Sequence, residues 1–247
     1  MPAESPCSKR LCEAAWRGMY HLRKCVDRIQ GWLERQFPDW AHRRNIRKWD
    51  RQWNNPAFNP FWKTDHPQRE FLEATDSGWF ARSELIIDLG CGNGEVSRWL
   101  ADKGFKVLGV DYSRAAVENC RRLSAAQRNA PIFALADLCD PDLQLKPAGS
   151  LIDRGCFHRI PDKFLPVFAK NVARATIPGG HFLLLSGTFQ RADFSHYRGA
   201  RSEEQLKGHV GRLFETYFAI DRAEPASINA GEGKESMPAV AFWMTRK

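Results

Sequence analysis

From Leu85 onward the chain alternates between two hydrophobic rhythms. Leu85-Ile86-Ile87 is an unbroken apolar run, the pattern of a strand buried on both faces. Glu95 to Lys103 places Val96, Trp99 and Leu100 at i, i+3 and i+4, one buried stripe of a helix. Phe105 to Val110 is apolar again and predicts a second strand. Ser113 is a good N-cap for a helix over Arg114 to Ser124. Pro131 to Leu135 and Ser150 to Asp153 predict two more strands, and Lys163 to Thr176 a helix burying Phe164, Val167, Phe168, Val172 and Ala175. A proline-glycine turn then leads into the apolar run of "IPGGHFLLLSG". Glu203 to Phe214 reads as a helix, and "YFAIDRAEPASIN" and "AVAFWMTRK" as two closing strands in an antiparallel hairpin. Strands alternating with helices predict an α/β fold with a mostly parallel, seven-stranded sheet.

The N-terminal segment follows a different pattern. Leu11, Ala15, Met19, Leu22, Val26, Ile29 and Leu33 recur at three or four residues across Cys7 to Phe37, predicting one or two helices that Pro38 ends or interrupts. The first fifty residues hold eleven Lys and Arg against six acids, so they carry five of the formal net +8. Residues 1–48 read as a basic helical extension, a cap with a solvated basic face, and residues 49–247 as the main domain. An RNA-, membrane- or partner-binding arm is the alternative. Nucleic acid is a weaker expectation than a small-molecule partner, and oligomeric state is left open. The seven cysteines show no CxxC pair or zinc-like spacing, so no metal site is expected and a reduced, cytoplasmic setting is. No apolar run approaches the ~20 residues of a bilayer span, and no secretory h-region is present.

The chemistry concentrates between the first two strands. Gly90, Gly92 and Gly94 occupy alternate positions after Asp88, and Asp111 ends the second strand. Glycine admits positive φ and close backbone approach, and ligands of such sheets bind beyond the carboxyl ends of the strands. An acid at the end of the second strand can accept both hydroxyls of a ribose. The dinucleotide fingerprint fails, because Glu95 stands where its last glycine would be.

The run Asp88-Leu-Gly90-Cys91-Gly92-Asn-Gly94 resembles the first motif of the class I S-adenosylmethionine-dependent methyltransferases. The resemblance implies a Rossmann-like, doubly wound sheet and S-adenosylmethionine as cofactor. It places Asp88, Gly90, Cys91, Gly92 and Gly94 around the cofactor, Asp111 and Tyr112 at its ribose, and Asp137 and Leu138 at its adenine. The segment "DRGCFHRIP" after the fourth strand resembles the thiopurine and thiol (tellurite-resistance-like) small-molecule methyltransferases. By that likeness the backbone at Asp153 and Arg154 meets the methionine moiety, and Arg154 faces an anionic substrate group. These families also carry a tryptophan-rich segment before the first motif that packs over the cofactor. Trp49, Trp53, Phe58, Phe61 and Trp62 match it here, with Trp53 and Trp62 as cofactor contacts. His158 is the candidate base, because its ordinary pKa lies near neutrality. Arg191, His196, Tyr197 and Arg198 lie in a polar stretch where substrate loops of this fold often occur.

The expected reaction is methyl transfer to a small molecule, with a thiol or other soft nucleophile first. An N- or O-methyltransferase of a metabolite, an RNA or protein methyltransferase, and a non-catalytic cofactor-binding module are the alternatives.

Overall fold

The computed structural model describes residues 36–60, 62–63, 67–188, 201–228 and 236–247. The helices expected before Arg35, Phe61, and the stretch with Arg191, His196, Tyr197 and Arg198 lie outside these residues. The chain divides into two compact units, Met1–Arg44 and Asn45–Lys247. Helix α1 spans Pro38–Asn54, so residues 48 and 49 lie within one helix. Gln36 is helical and Phe37 is not, so the helical pattern is interrupted here as expected, and Pro38 opens the next helix, whose first turn needs no N–H from it.

Among the described residues, seven strands form one sheet: β1 Leu85–Leu89, β2 Lys106–Asp111, β3 Ile132–Leu135, β4 Ala148–Arg154, β5 Thr176–Gly187, β6 Phe218–Ile228 and β7 Met237–Arg246. Their order is β3-β2-β1-β4-β5-β7-β6. The pairings from β3 through β5 are parallel, whereas β7 pairs antiparallel with both β5 and β6. The closing hairpin therefore folds back, and its second strand becomes the interior one. Its "AVAFWM" run is buried throughout, while β6 carries Asp221, Arg222, Glu224 and Pro225 at the edge. Charges and proline at an edge protect it from further pairing.

Helices cover both faces. One side packs Phe168, Phe182, Phe214, Phe218 and Phe242 beneath α5 Leu165–Ala175 and α6 Glu203–Phe214. The other packs Phe71, Phe80, Ile86, Leu100 and Trp243 beneath α2 Arg69–Asp76 and α3 Glu95–Asp102. Helix α4, Arg114–Ser124, packs Val117 and Cys120 against Phe133. Ser113 caps α4 as expected, its side chain accepting from the Ala116 N–H. Strand order reverses at β1, which neighbours both β2 and β4. In open α/β sheets that reversal places the ligand crevice at the carboxyl ends of these strands.

Candidate active site

The turn leaving β1 is set by its three glycines. Gly90, Gly92 and Gly94 have φ of 65°, 57° and 74°, the left-handed region where other residues are strained. The Cys91 N–H donates to the Val110 carbonyl at 3.0 Å, and Gly94 N–H to the Cys91 carbonyl at 2.8 Å. The turn is thereby fixed to the end of β2. A Cβ on Gly90 would stand 2.6 Å from Cys156 Cβ and Sγ, so Gly90 is packed against the segment after β4. Among the described residues, a Cβ on Gly92 would meet only the Trp53 ring, at 3.1 Å. Trp53 therefore lies across the glycine turn.

Three aspartates surround it. Asp88 accepts from Ser97 Oγ at 2.6 Å, and burial raises its carboxyl to about 6. Asp111 accepts from Gly92 N–H at 3.0 Å and from Ser113 N–H at 2.8 Å, one bond on each oxygen. Burial lifts it to about 6. A carboxylate offers about four acceptor sites, so two bonds leave capacity for a ribose diol. Asp153 accepts from Cys156 N–H at 2.8 Å and Phe157 N–H at 2.9 Å, and burial lifts it to about 7. Its carboxylate thus builds the turn after β4.

Several expected residues occupy positions the sequence does not reveal. The Arg154 guanidinium was expected to face a substrate anion. It donates instead to Gln68 Oε1 at 2.6 Å and to the Trp62 carbonyl at 2.7 Å, and lies 3.9 Å from Glu95 Oε2. His158, in the short turn Phe157–Arg159, accepts from Gly187 N–H through Nδ1 at 3.1 Å. Burial, with the Arg159 charge, holds its pKa well below 6.5. Asp137 closes its own turn by accepting from Cys139 N–H at 2.9 Å. Leu138 is buried in the core beneath α5. Tyr112 OH accepts from Asn45 Nδ2 at 3.2 Å. Cys91 lies against Cys120, and the interaction with that thiol, with burial second, holds its own thiol well above the usual range.

The tryptophan-rich segment is one aromatic cluster. Trp53 packs on Phe58 at 5.0 Å, Phe58 on Trp62 at 6.2 Å and Trp49 on Trp62 at 5.7 Å, all edge-on. The Arg159 guanidinium lies 5.7 Å from the Trp49 ring and 5.9 Å from that of Trp62, within cation–π range. The sequence also held an unrecognised anchor. Asp50 Oδ1 accepts from Ser113 Oγ and from Ala115 N–H, each at 2.9 Å, and so caps α4 from α1. Asn119 Nδ2 donates to the Trp53 carbonyl at 2.8 Å. An acid four residues before Trp53's neighbour Asn54 signals a helix as readily as a cap, so sequence alone could not assign it.

A glycine turn with φ above zero, an ionisable acid at the β2 end and an aromatic wall fit a nucleoside ligand. The acids also suit the positive charges of S-adenosylmethionine. Fold and site together define the methyltransferase type of Rossmann-like domain. Residues 86–180 match the family described as a methyltransferase domain. A 2-heptyl-1-hydroxyquinolin-4(1H)-one methyltransferase of Mycobacteroides abscessus is 26% identical over 191 residues, 75% of this chain and 81% of its own. This chain is a class I S-adenosylmethionine-dependent methyltransferase, and S-adenosylmethionine is its cofactor. Solved structures share the fold. One concerns conversion of a disulfide bond into a thioacetal group during echinomycin biosynthesis, with a TM-score of 0.65 and 22% identity over 77% of this chain and 86% of that one. The glycopeptide N-methyltransferase MtfA bound to S-adenosylhomocysteine has a TM-score of 0.57 and 16% identity, over 72% and 88% of the chains. TehB from Haemophilus influenzae has a TM-score of 0.55 and 16% identity, over 71% and 62%.

Proposed function

We propose that this enzyme methylates the oxygen or sulfur of a small aromatic acceptor that is already ionised when it binds. Bound S-adenosylmethionine supplies an electrophilic methyl group on a sulfonium. The chain's residues then orient the acceptor and exclude water. The observation that carries the reading is the state of His158. Its Nδ1 accepts from Gly187 N–H, and burial disfavours the imidazolium that a general base must become. An acceptor that ionises unaided needs no such base. The Trp49–Phe58–Trp62 cluster offers faces for an aromatic ring, and Arg159 beside it supplies positive charge toward an anion.

The Mycobacteroides relative is named for a hydroxylated quinolone. That supports an acidic hydroxyl as the first acceptor class. A thiol is the second reading, supported by the resemblance of the segment from Asp153 to Pro161, because a thiol of pKa ~8.5 is already partly ionised. Among the described residues, no helix is long and apolar enough to cross a membrane.

The test is a labelled-methyl assay over an N-hydroxy heteroaromatic, a thiophenol, a simple phenol and a primary amine. Transfer should be fastest to the first two, with kcat flat from pH 6.5 to 8.5. Exclusive transfer to the amine, or a pKa near neutrality that vanishes in His158→Gln, would sink the proposal.

A further inference from the structure

Arg154 closes β4, and its side chain is only 8% exposed. Its donors reach three parts of the chain. Nε donates to Gln68 Oε1 at 2.6 Å and Nη2 to the Trp62 carbonyl at 2.7 Å, while Nη1 lies 3.9 Å from Glu95 Oε2. Gln68 is buried and passes the connection on, donating through Nε2 to the Ser227 carbonyl in β6 at 2.6 Å. Glu95 directly follows Gly94, opens α3 and accepts from Asn93 Nδ2 at 3.1 Å. One guanidinium therefore joins the aromatic wall, the helix behind the glycine turn and the end of β4.

Burial depresses the Arg154 pKa, and the charges of Glu95 and Asp88 oppose that effect. A buried cation held by two hydrogen bonds and an ion pair has a fixed geometry. Lysine could not replace it, because an ammonium is a compact point charge without the planar fork.

We infer that Arg154 is a positioning residue for methyl transfer, setting the distance between the aromatic wall and the glycine turn through Trp62, Gln68 and Glu95. It acts through these groups and need not touch the cofactor or the acceptor. The inference goes beyond the proposed acceptor class and does not depend on it, so it is tested without an acceptor.

The experiment is calorimetric titration of S-adenosylhomocysteine into wild type, Arg154→Lys, Gln68→Leu and the double variant. Acrylamide quenching of tryptophan fluorescence is followed on the same samples. S-adenosylhomocysteine should bind about tenfold more weakly to Arg154→Lys and about threefold more weakly to Gln68→Leu. Quenching should be stronger in both. The double variant should resemble Arg154→Lys alone, because the two residues act in one network. Wild-type affinity and quenching in Arg154→Lys would overturn the inference, and so would additive losses in the double variant. A role confined to stability would lower Tm while leaving binding per folded molecule unchanged, which also overturns it. Should Arg154→Lys not fold, Gln68→Leu decides alone: unchanged affinity refutes the inference, and weakened affinity with stronger quenching supports it.

Discussion

Gly90 and Gly92 are two residues apart in one turn with nearly the same φ, 65° and 57°, yet alanine should be tolerated very differently at each. The left-handed backbone costs an alanine about 1 kcal/mol at either position. The surroundings make the difference. At Gly90 the new Cβ would lie 2.6 Å from both Cβ and Sγ of Cys156, far inside the ~3.5–4.0 Å optimum for carbon contacts. Cys156 cannot retreat easily. Its N–H is held by Asp153 at 2.8 Å, and its carbonyl accepts from Arg159 N–H at 2.8 Å. Overpacking of this kind adds about 1–3 kcal/mol, giving a total near 3 kcal/mol. At Gly92 the nearest atoms are Trp53 Cζ2 at 3.1 Å and Cη2 at 3.5 Å, the far edge of a half-buried ring that can shift. The cost there stays near 1 kcal/mol. For a chain of this length, Gly90→Ala should lower Tm by roughly 6–12 °C and Gly92→Ala by roughly 2–4 °C. Thermal melts by circular dichroism measure both. Cys156→Gly removes both clashing atoms and should restore most of the overpacking loss, whereas Cys156→Ala leaves the Cβ and should restore less. Equal losses in the two glycine variants, or equal rescue by the two Cys156 changes, would refute the steric argument.

Asp111 gives a pH test. Its folded pKa of about 6 exceeds the ~3.9 of an unfolded aspartate, so the folded ligand-free protein holds a proton that the unfolded chain has lost. Asp111 therefore contributes a fall in stability as pH rises from about 4 to about 6, flat above that. Subtracting the Tm–pH curve of Asp111→Asn from that of wild type should isolate this downward slope, and a rising difference would contradict it. S-adenosylhomocysteine affinity should rise with pH through about 6 in wild type as the proposed ribose acceptor ionises, and depend less on pH in Asp111→Asn, where Asp88 and Asp153 still titrate, as followed by calorimetry. Asp50→Ala removes the acceptor for Ser113 Oγ and Ala115 N–H and should cost about 1–2 kcal/mol in urea unfolding, while Asp50→Asn retains most of it. Arg222 and Glu73 form an exposed pair at 2.6 Å, and Arg222→Ala should lower stability by less than ~1 kcal/mol beyond its packing on Trp243.

The fold was legible wherever pattern is local. The unbroken apolar runs of β1, β2 and β5 and the Ser113 cap need only neighbouring residues to be read. Helix α6 begins at Glu203 behind a capping box of Ser202 and Gln205, a signal carried within four residues. Contacts across the chain were not legible in the same way. Arg154 reaches Gln68 and Trp62 over 86 and 92 positions, and Asp50 reaches Ser113 over 63. The arginine was assigned an external anion because nothing in "IDRGC" names an internal partner. Trp49 and Trp53 lie where the sequence turns rich in Trp, Asn and Pro, yet α1 continues to Asn54. Tertiary ties from Asp50 and the Trp53 carbonyl to α4 outweigh the weak intrinsic propensity of tryptophan and asparagine. The interior place of β7 had a signal that was available: an apolar "AVAFWM" run beside the charged "DRAEP" of its partner.

Charge ties the cofactor to the proposed acceptor. The molecule carries a formal +8, but the glycine turn is lined by Asp88, Asp111 and Asp153. Each is raised toward neutrality by burial, so ionising them without a counter-charge is unfavourable. A ligand bearing positive charge offsets that, which is the character of S-adenosylmethionine. The same acids would repel an anion approaching from their side. An ionised acceptor therefore needs an approach lined by cations and apolar faces, as Arg159 between Trp49 and Trp62 provides. Arg154 stands between the two regions, with its charge near both Asp88 and Glu95. Acidic floor and cationic aromatic wall thus favour opposite charges on the two ligands, which is the pairing the proposed transfer from a sulfonium to an ionised acceptor would require.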